Sequence, residues 1–200
     1  MRIVGGIHRG RTIKAPAGRE ATRPTTDRVR EAIASMVIAR TGALDGRSVL
    51  DAFAGSGALG IEMLSRGASH ATLCDQDQHA LACIRGNLAS LGIGSQAAHV
   101  VRCDACAAAA RGHVPGAPFD VVLLDPPYAM PATQVGQLVA DLARRGMLAA
   151  GCVVMYERSA DAPGLALPDL EPLSSRTYGS TAVDVLRLCD APDADATDTI

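Results

Sequence analysis

Asp125-Pro126-Pro127-Tyr128 closes the apolar run Val121-Val122-Leu123-Leu124, and these residue types suit chemistry on a flat, amino-bearing ring. An ionised Asp125 is a pure acceptor, and the carbonyl of Pro126 is a second acceptor on a residue without a backbone N–H. Together they can hold both hydrogens of an exocyclic amino group. Each proline fixes its own φ, and Pro127 biases Pro126 toward extended geometry, so the acceptors need little reorganisation during a reaction. Tyr128 offers a face on which an extruded nucleobase can stack. The plainer alternative is a strand that ends in a Pro-rich turn.

A second constellation lies upstream. Ser48-Val49-Leu50-Asp51-Ala52-Phe53 reads as a short strand, followed by the loop Ala54-Gly55-Ser56-Gly57-Ala58 and a helical pattern. The spacing Gly55-x-Gly57-x-x-Gly60 fits a dinucleotide fingerprint, in which glycines allow a tight turn and close approach of a ligand to backbone. Alone it admits NAD as readily as any adenosine cofactor. Asp75, 20 residues beyond Gly55, is placed to accept from ribose hydroxyls. Asp51 separates the cofactors: a carboxylate there opposes a pyrophosphate but favours a sulfonium and an ammonium. S-adenosylmethionine fits better than NAD, the alternative for Asp51 being a carboxylate tied up by loop amides. Asp104, with Ala105 after it, ends another apolar stretch and can bond an adenine amino group, cap a helix, or both.

Metal and redox readings are weaker. Cys103-Asp104-Ala105-Cys106 has the spacing of a zinc or thiol pair, but no second cysteine pair accompanies it and the five histidines form no ligand cluster. No metal is expected. The six cysteines fall mostly in apolar segments, as small reduced side chains do.

Positioning these residues requires a sheet. Apolar stretches near 48–53, 70–75, 98–103, 119–125 and 151–157 alternate with helical patterns near 58–66, 77–91, 105–112 and 132–145. That alternation predicts an α/β, doubly wound, Rossmann-like parallel sheet whose ligands bind at the strand C-terminal ends. Segments near 171–178 and 182–189 can close it as a hairpin. Ahead of the sheet, Pro24-Thr25-Thr26-Asp27 supplies capping chemistry, and Val29, Ile33, Met36 and Val37 predict a helix over about 26–40. Residues 25–189 then form one domain, and the acidic run from 190 to 200 reads as a disordered tail.

Net charge hides an asymmetry. Residues 1–40 hold nine Lys/Arg against three Asp/Glu, a balance of +6 within a chain of net charge −2. The segment 1–24 reads as a small β-hairpin extension, with Ile3-Val4 and Thr12-Ile13 as arms. Arg2, Arg9, Arg11, Lys14 and Arg23, joined by Arg28 and Arg30 of the helix, are candidates for RNA phosphates. Glu31 can orient an arginine. The alternative for these charges is a solvated surface. No apolar run approaches the roughly 20 residues of a membrane span, and the N-terminus does not begin a signal peptide, so a cytoplasmic protein, most simply a monomer, is expected.

Taken together, Arg23-Pro24-Thr25-Thr26-Asp27-Arg28-Val29-Arg30-Glu31, Ala54-Gly55-Ser56-Gly57-Ala58-Leu59-Gly60 with Glu62, Leu64-Ser65-Arg66-Gly67-Ala68 and Asp125-Pro126-Pro127-Tyr128 resemble the RsmD family. Those are bacterial S-adenosylmethionine-dependent methyltransferases acting on guanine N2 in small-subunit (16S) ribosomal RNA. The resemblance runs from Arg2 to about Leu188. It implies the methyltransferase fold with an antiparallel last strand, S-adenosylmethionine as cofactor, and ribosomal RNA or an assembling subunit as partner. Ala34-Ser35 departs from the Phe-Asn common at that place. An N6-adenine methyltransferase acting on DNA or RNA uses the same tetrapeptide, and a noncatalytic RNA-binding protein is the reading from another class.

Overall fold

A computed structural model describes residues 1–16 and 26–189; Arg23 and the acidic tail lie outside the described residues. The chain runs α1 (Asp27–Thr41), β1 (Ser48–Asp51), α2 (Ala58–Ser65), β2 (His70–Asp75), α3 (Gln78–Leu91), β3 (Ala98–Arg102), α4 (Ala105–Arg111), β4 (Phe119–Leu124), α5 (Ala132–Arg144) and β5 (Leu148–Ser159). It closes with β6 (Leu170–Tyr178) and β7 (Thr181–Leu188). The seven strands order as β3-β2-β1-β4-β5-β7-β6. β1 to β5 pair in parallel, and β7 inserts antiparallel between β5 and β6.

The period of two along each strand decides which layer a side chain joins. Val49, Val121 and Leu123 pack with α1, α2 and α3, whereas Leu50, Val122 and Leu124 pack with α4 and α5. Near-continuous apolar strands are what burial on both faces demands. Helix starts follow their caps: Asp77 accepts from His79 N–H at 2.9 Å, and Asp104 Oδ1 accepts from Cys106 and Ala107 N–H at 2.9 and 3.2 Å. β5 begins earlier than its apolar run suggests. Gly151, at φ +66°, lies within it beside a register shift opposite Phe119 and Val121, so the strand bulges there rather than starting.

The N-terminal segment forms a short hairpin around an Arg2–Thr12 bridge, with Ile3 N–H donating to Arg11 O at 3.0 Å and Ile13 N–H to Met1 O at 3.0 Å. Ile3 and Ile13 are buried in the layer with α1 to α3. Its turn is fitted to α2: a Cβ on Gly6, which has φ +74°, would stand 1.7 Å from Ser65 O. The six cysteines are free thiols, Cys74 and Cys152 being buried, and no described helix is long and apolar enough to cross a membrane.

Candidate active site

Three carboxylates meet at the C-terminal ends of β1, β2 and β4. Asp51 ends β1 in register with Leu73 and Leu123, so Asp75 and Asp125, each two residues further along a neighbouring strand, flank it. Asp51 is 1% exposed, and its Oδ2 accepts from Gly60 N–H at 3.0 Å. Burial pushes its carboxyl up to about 7; the Gly60 amide opposes that shift, and the charges of Asp125 and Asp75 add to it. Asp125 is half-buried and pushed up to about 6 by burial. The loop-amide alternative for Asp51 is therefore present in the geometry, alongside a negative field that still calls for a cation.

The glycine loop hangs on the same carboxylates. Gly55 N–H donates to Asp75 Oδ2 at 2.9 Å, Asp77 N–H donates to Asp75 Oδ1 at 2.9 Å, and Ala54 N–H donates to Cys74 O at 2.9 Å. Gly57, at φ +78°, permits the turn, and a Cβ there would press Leu73, Ile61 and Ile84 at 3.1 to 3.3 Å. Gly60 lets α2 approach β1, where a Cβ would meet Leu73 at 3.0 Å and Asp51 at 3.2 Å. Ser56 turns its hydroxyl toward Met1 Sδ at 3.5 Å. Asp104 caps α4, with Ala105 buried behind it, and Cys103 N–H donates to Asp75 O at 3.2 Å, which joins the two strand ends.

These residues suit S-adenosylmethionine. Three carboxylates, two of them with raised pKa, complement a sulfonium and an ammonium. The glycines leave backbone accessible where side chains would block it. Among the described residues no cluster of His, Cys, Asp or Glu is built to hold a metal.

Beside this edge, Pro126, Pro127, Tyr128 and Pro131 form one wall of a cavity of about 320 Å³, with Arg158 and Pro163 across from them. Tyr128 is 62% exposed, and its hydroxyl stands 3.4 Å from Thr181 Oγ1. Met130 N–H donates to Pro127 O at 2.8 Å and tightens the turn. A larger hollow of about 570 Å³ follows the free edge of β3, lined by Arg85, Leu88, Ile93, His99 and Pro115. It includes no residue of Asp125-Pro126-Pro127-Tyr128, whereas three of those four line the smaller cavity, which is therefore the better candidate for a substrate.

The basic residues divide. Arg9, Lys14 and Arg28 are exposed, as are Arg2, which pairs with Asp27 at 2.8 Å, and Arg11, which donates to Ser90 O at 2.7 Å. Arg30 corrects the sequence reading: it is 2% exposed, and its guanidinium bonds Arg2 O at 2.8 Å and Asp27 Oδ1 at 2.6 Å. It fastens the hairpin to α1 and is not available to a phosphate. Glu31 does orient an arginine, bonding Arg66 at 2.5 Å.

Sequence reasoning missed three positioning residues. Glu62, fully buried, accepts from Val4 N–H at 2.9 Å and from Arg66 Nε at 2.7 Å. Ser65 receives His8 N–H at 2.9 Å and donates to Gly5 O at 2.6 Å. Asn87, 1% exposed, accepts from Lys14 N–H at 2.8 Å and donates to Lys14 O at 3.0 Å and Ser56 O at 2.9 Å, tying the hairpin to the glycine loop. A signal exists for Glu62, the one charged residue of α2 (ALGIEMLS).

Comparison with known proteins agrees with this geometry. The model of a family described as "Conserved hypothetical protein 95" matches residues 1–187. A Bacillus subtilis protein named "Putative rRNA methyltransferase YlbH" is 36% identical over 191 residues, covering 94% of this chain and 98% of its own. "Ribosomal RNA small subunit methyltransferase D" of Escherichia coli is 41% identical over 128 residues, covering 64% of this chain and 60% of its own. A solved structure described as "Putative methyltransferase yhhF" from Escherichia coli superposes with a TM-score of 0.78 at 30% identity, covering 94% of this chain and 98% of its own.

Proposed function

The chain belongs to the RsmD family, and from that premise we propose that it transfers a methyl group from S-adenosylmethionine to the exocyclic N2 of a guanine in small-subunit ribosomal RNA. One observation carries the reading: Asp125-Pro126-Pro127-Tyr128 stands at the same sheet edge as Asp51, Asp75 and the glycine loop, beside a cavity open to a flat ring. Bound S-adenosylmethionine supplies an activated methyl whose leaving group departs as a neutral thioether, so the chemistry calls for no metal. Asp51, Asp75, Gly55, Ser56, Gly57, Asp104 and Ala105 would hold that cofactor.

The chain's own contribution is orientation. Asp125 and the Pro126 carbonyl accept the amino hydrogens and leave the nitrogen lone pair facing the methyl, while Tyr128 stacks on the ring. Guanine presents adjacent N1–H and N2–H donors that one carboxylate can accept together. Exposed Arg2, Arg9, Arg11, Lys14 and Arg28 would carry the phosphates, with Arg23 as a further candidate outside the described residues, and an rRNA or assembling small subunit is the partner.

Purified protein incubated with labelled S-adenosylmethionine and small subunits from a strain deleted for the gene is expected to yield labelled N2-methylguanosine on nucleoside digestion. Labelled N6-methyladenosine would establish the adenine reading instead, and an rRNA methylation map unchanged by the deletion would sink the ribosomal one.

The carboxylates also set a pH dependence. A carboxyl raised in the fold contributes stability that is present below its unfolded pKa, near 3.8, and is lost as pH rises through its folded value, about 7 for Asp51 and about 6 for Asp125. A cationic ligand reverses that preference, because it favours the ionised forms. S-adenosylmethionine affinity is therefore expected to weaken below pH 7, by up to about tenfold per unit for one proton. S-adenosylhomocysteine, lacking the sulfonium, should show a shallower slope. Calorimetric titration of both ligands between pH 5.5 and 8 is the measurement; parallel slopes would count against a sulfonium among the carboxylates.

A further inference from the structure

The two walls of the cavity beside Tyr128 differ in what holds them. Pro126, Pro127 and Pro131 stiffen one by composition. The other, residues 159 to 163 from the last residue of β5 onward, is Ser-Ala-Asp-Ala-Pro, with no large apolar side chain to anchor it. Ala160 N–H donates to Ser180 O at 2.9 Å and Ala162 N–H to Ser159 O at 3.1 Å. The carbonyls of this wall converge on one guanidinium: Arg158 Nη1 donates to Ser159 O at 3.2 Å, Ala160 O at 3.4 Å and Ala162 O at 2.6 Å.

That guanidinium is itself locked. Arg158 Nε and Nη2 fork onto the Asp184 carboxylate of β7 at 2.7 and 3.3 Å, and Ser175 of β6 donates to the same carboxylate at 2.6 Å. Both charged side chains are nearly covered, at 14% and 10% exposure. Gly164 closes the loop tightly, since a Cβ there would come within 3.1 Å of Asp184 Oδ2. Ser159 pairs with Thr181, whose hydroxyl approaches that of Tyr128. A shift of this wall therefore reaches the ring proposed to stack on the base.

We propose that Arg158 is a positioning residue for methyl transfer, its guanidinium on Asp184 shaping the wall from Ser159 to Pro163 and so setting the aperture through which the target base reaches Asp125. This rests on the cavity being the base site. Lysine cannot take its place, because an ammonium lacks the planar fork needed to hold a carboxylate on one side and several carbonyls on the other.

R158K and D184N, assayed with labelled S-adenosylmethionine and unmethylated small subunits, test this. For R158K, kcat/KM for the RNA is expected to fall roughly 10- to 100-fold, the scale of a reacting group misplaced by about 1 Å. The Kd for S-adenosylhomocysteine, measured by calorimetry on the same protein, should stay within about twofold, because none of these residues belongs to the cofactor edge. D184N, which leaves the arginine without its fork, should show the same pattern, and the two losses should not add in the double variant because both act through one pair. It also carries the test if R158K does not fold. A folded R158K or D184N with unaltered kcat/KM for RNA overturns the inference, as does a loss matched by weakened cofactor binding. A wild-type protein that methylates no base in those subunits overturns the base-site reading instead.

Discussion

Replacing Asp125 with asparagine should reduce methyl transfer by about 10²- to 10⁴-fold, the range observed when a positioned charged group is removed from an active site. The substitution keeps the shape of the side chain but trades an acceptor-only carboxylate for a group with two donors, one of which then faces the amino hydrogens of the base. Affinity for S-adenosylhomocysteine should change far less, since Asp125 is the outermost of the three carboxylates and Gly55 and Gly60 are bonded to the other two. A second consequence distinguishes this from general damage. The Asp125 charge helps to raise the Asp51 carboxyl, so in D125N the pH at which S-adenosylmethionine binding weakens should move down. Single-turnover transfer and calorimetry on one preparation measure both. Turnover within threefold of wild type would remove Asp125 from the reaction.

β1, β2 and β4 are legible because each is a short, mostly apolar run that ends at or just before an aspartate. β2 was expected at 70–75 and is observed there, ending at Asp75. α3 begins one residue after its Asp77 cap, as the capping chemistry requires. β5 was less legible because Gly151 and the bulge interrupt its pattern three residues after its start. The candidate site is legible in the sequence because its residues sit at strand ends, where a carboxylate or a proline interrupts an apolar run. Arg30 was misread although the spacing contained the answer. It precedes Ile33, Ala34 and Val37 by three, four and seven residues, all fully buried, so it lies on the core face of α1 and away from exposed Arg28. Asn87 and Ser65 could not be found this way. Their partners are backbone atoms of the hairpin, 73 and 57 residues away, and main-chain groups leave no trace in a side-chain pattern.

Glu62 is where that hidden layer has its largest energetic effect. Its carboxylate is fully buried and divides its two oxygens between the Val4 amide and the Arg66 guanidinium, while Arg66 also reaches Glu31 on α1. Burial works against the Arg66 charge, yet Glu62 and Glu31 more than offset it and hold its pKa above the usual value. Alanine at position 62 leaves a largely covered cation with one exposed partner and strips the acceptor from Val4. Breaking one side of a buried pair costs about 3–5 kcal/mol, a large share of the roughly 5–15 kcal/mol that holds a domain folded. Urea unfolding of E62A should register that loss, and E62Q, which keeps an oxygen for Val4, should lose less. The damage should also be directional. With Val4 released, the hairpin loses one of its anchors on α2 while those from Ser65, Asn87, Arg30, Asp27 and Ser90 remain, so phosphate contacts made by Arg2, Arg9 and Arg11 should loosen first. At a temperature where E62A remains folded, RNA affinity should fall and its salt dependence become shallower as fewer phosphates are neutralised, while S-adenosylhomocysteine binds as before. An unfolding free energy within about 1 kcal/mol of wild type would show that Glu62 is not the clamp, because that is the scale of an ordinary surface pair.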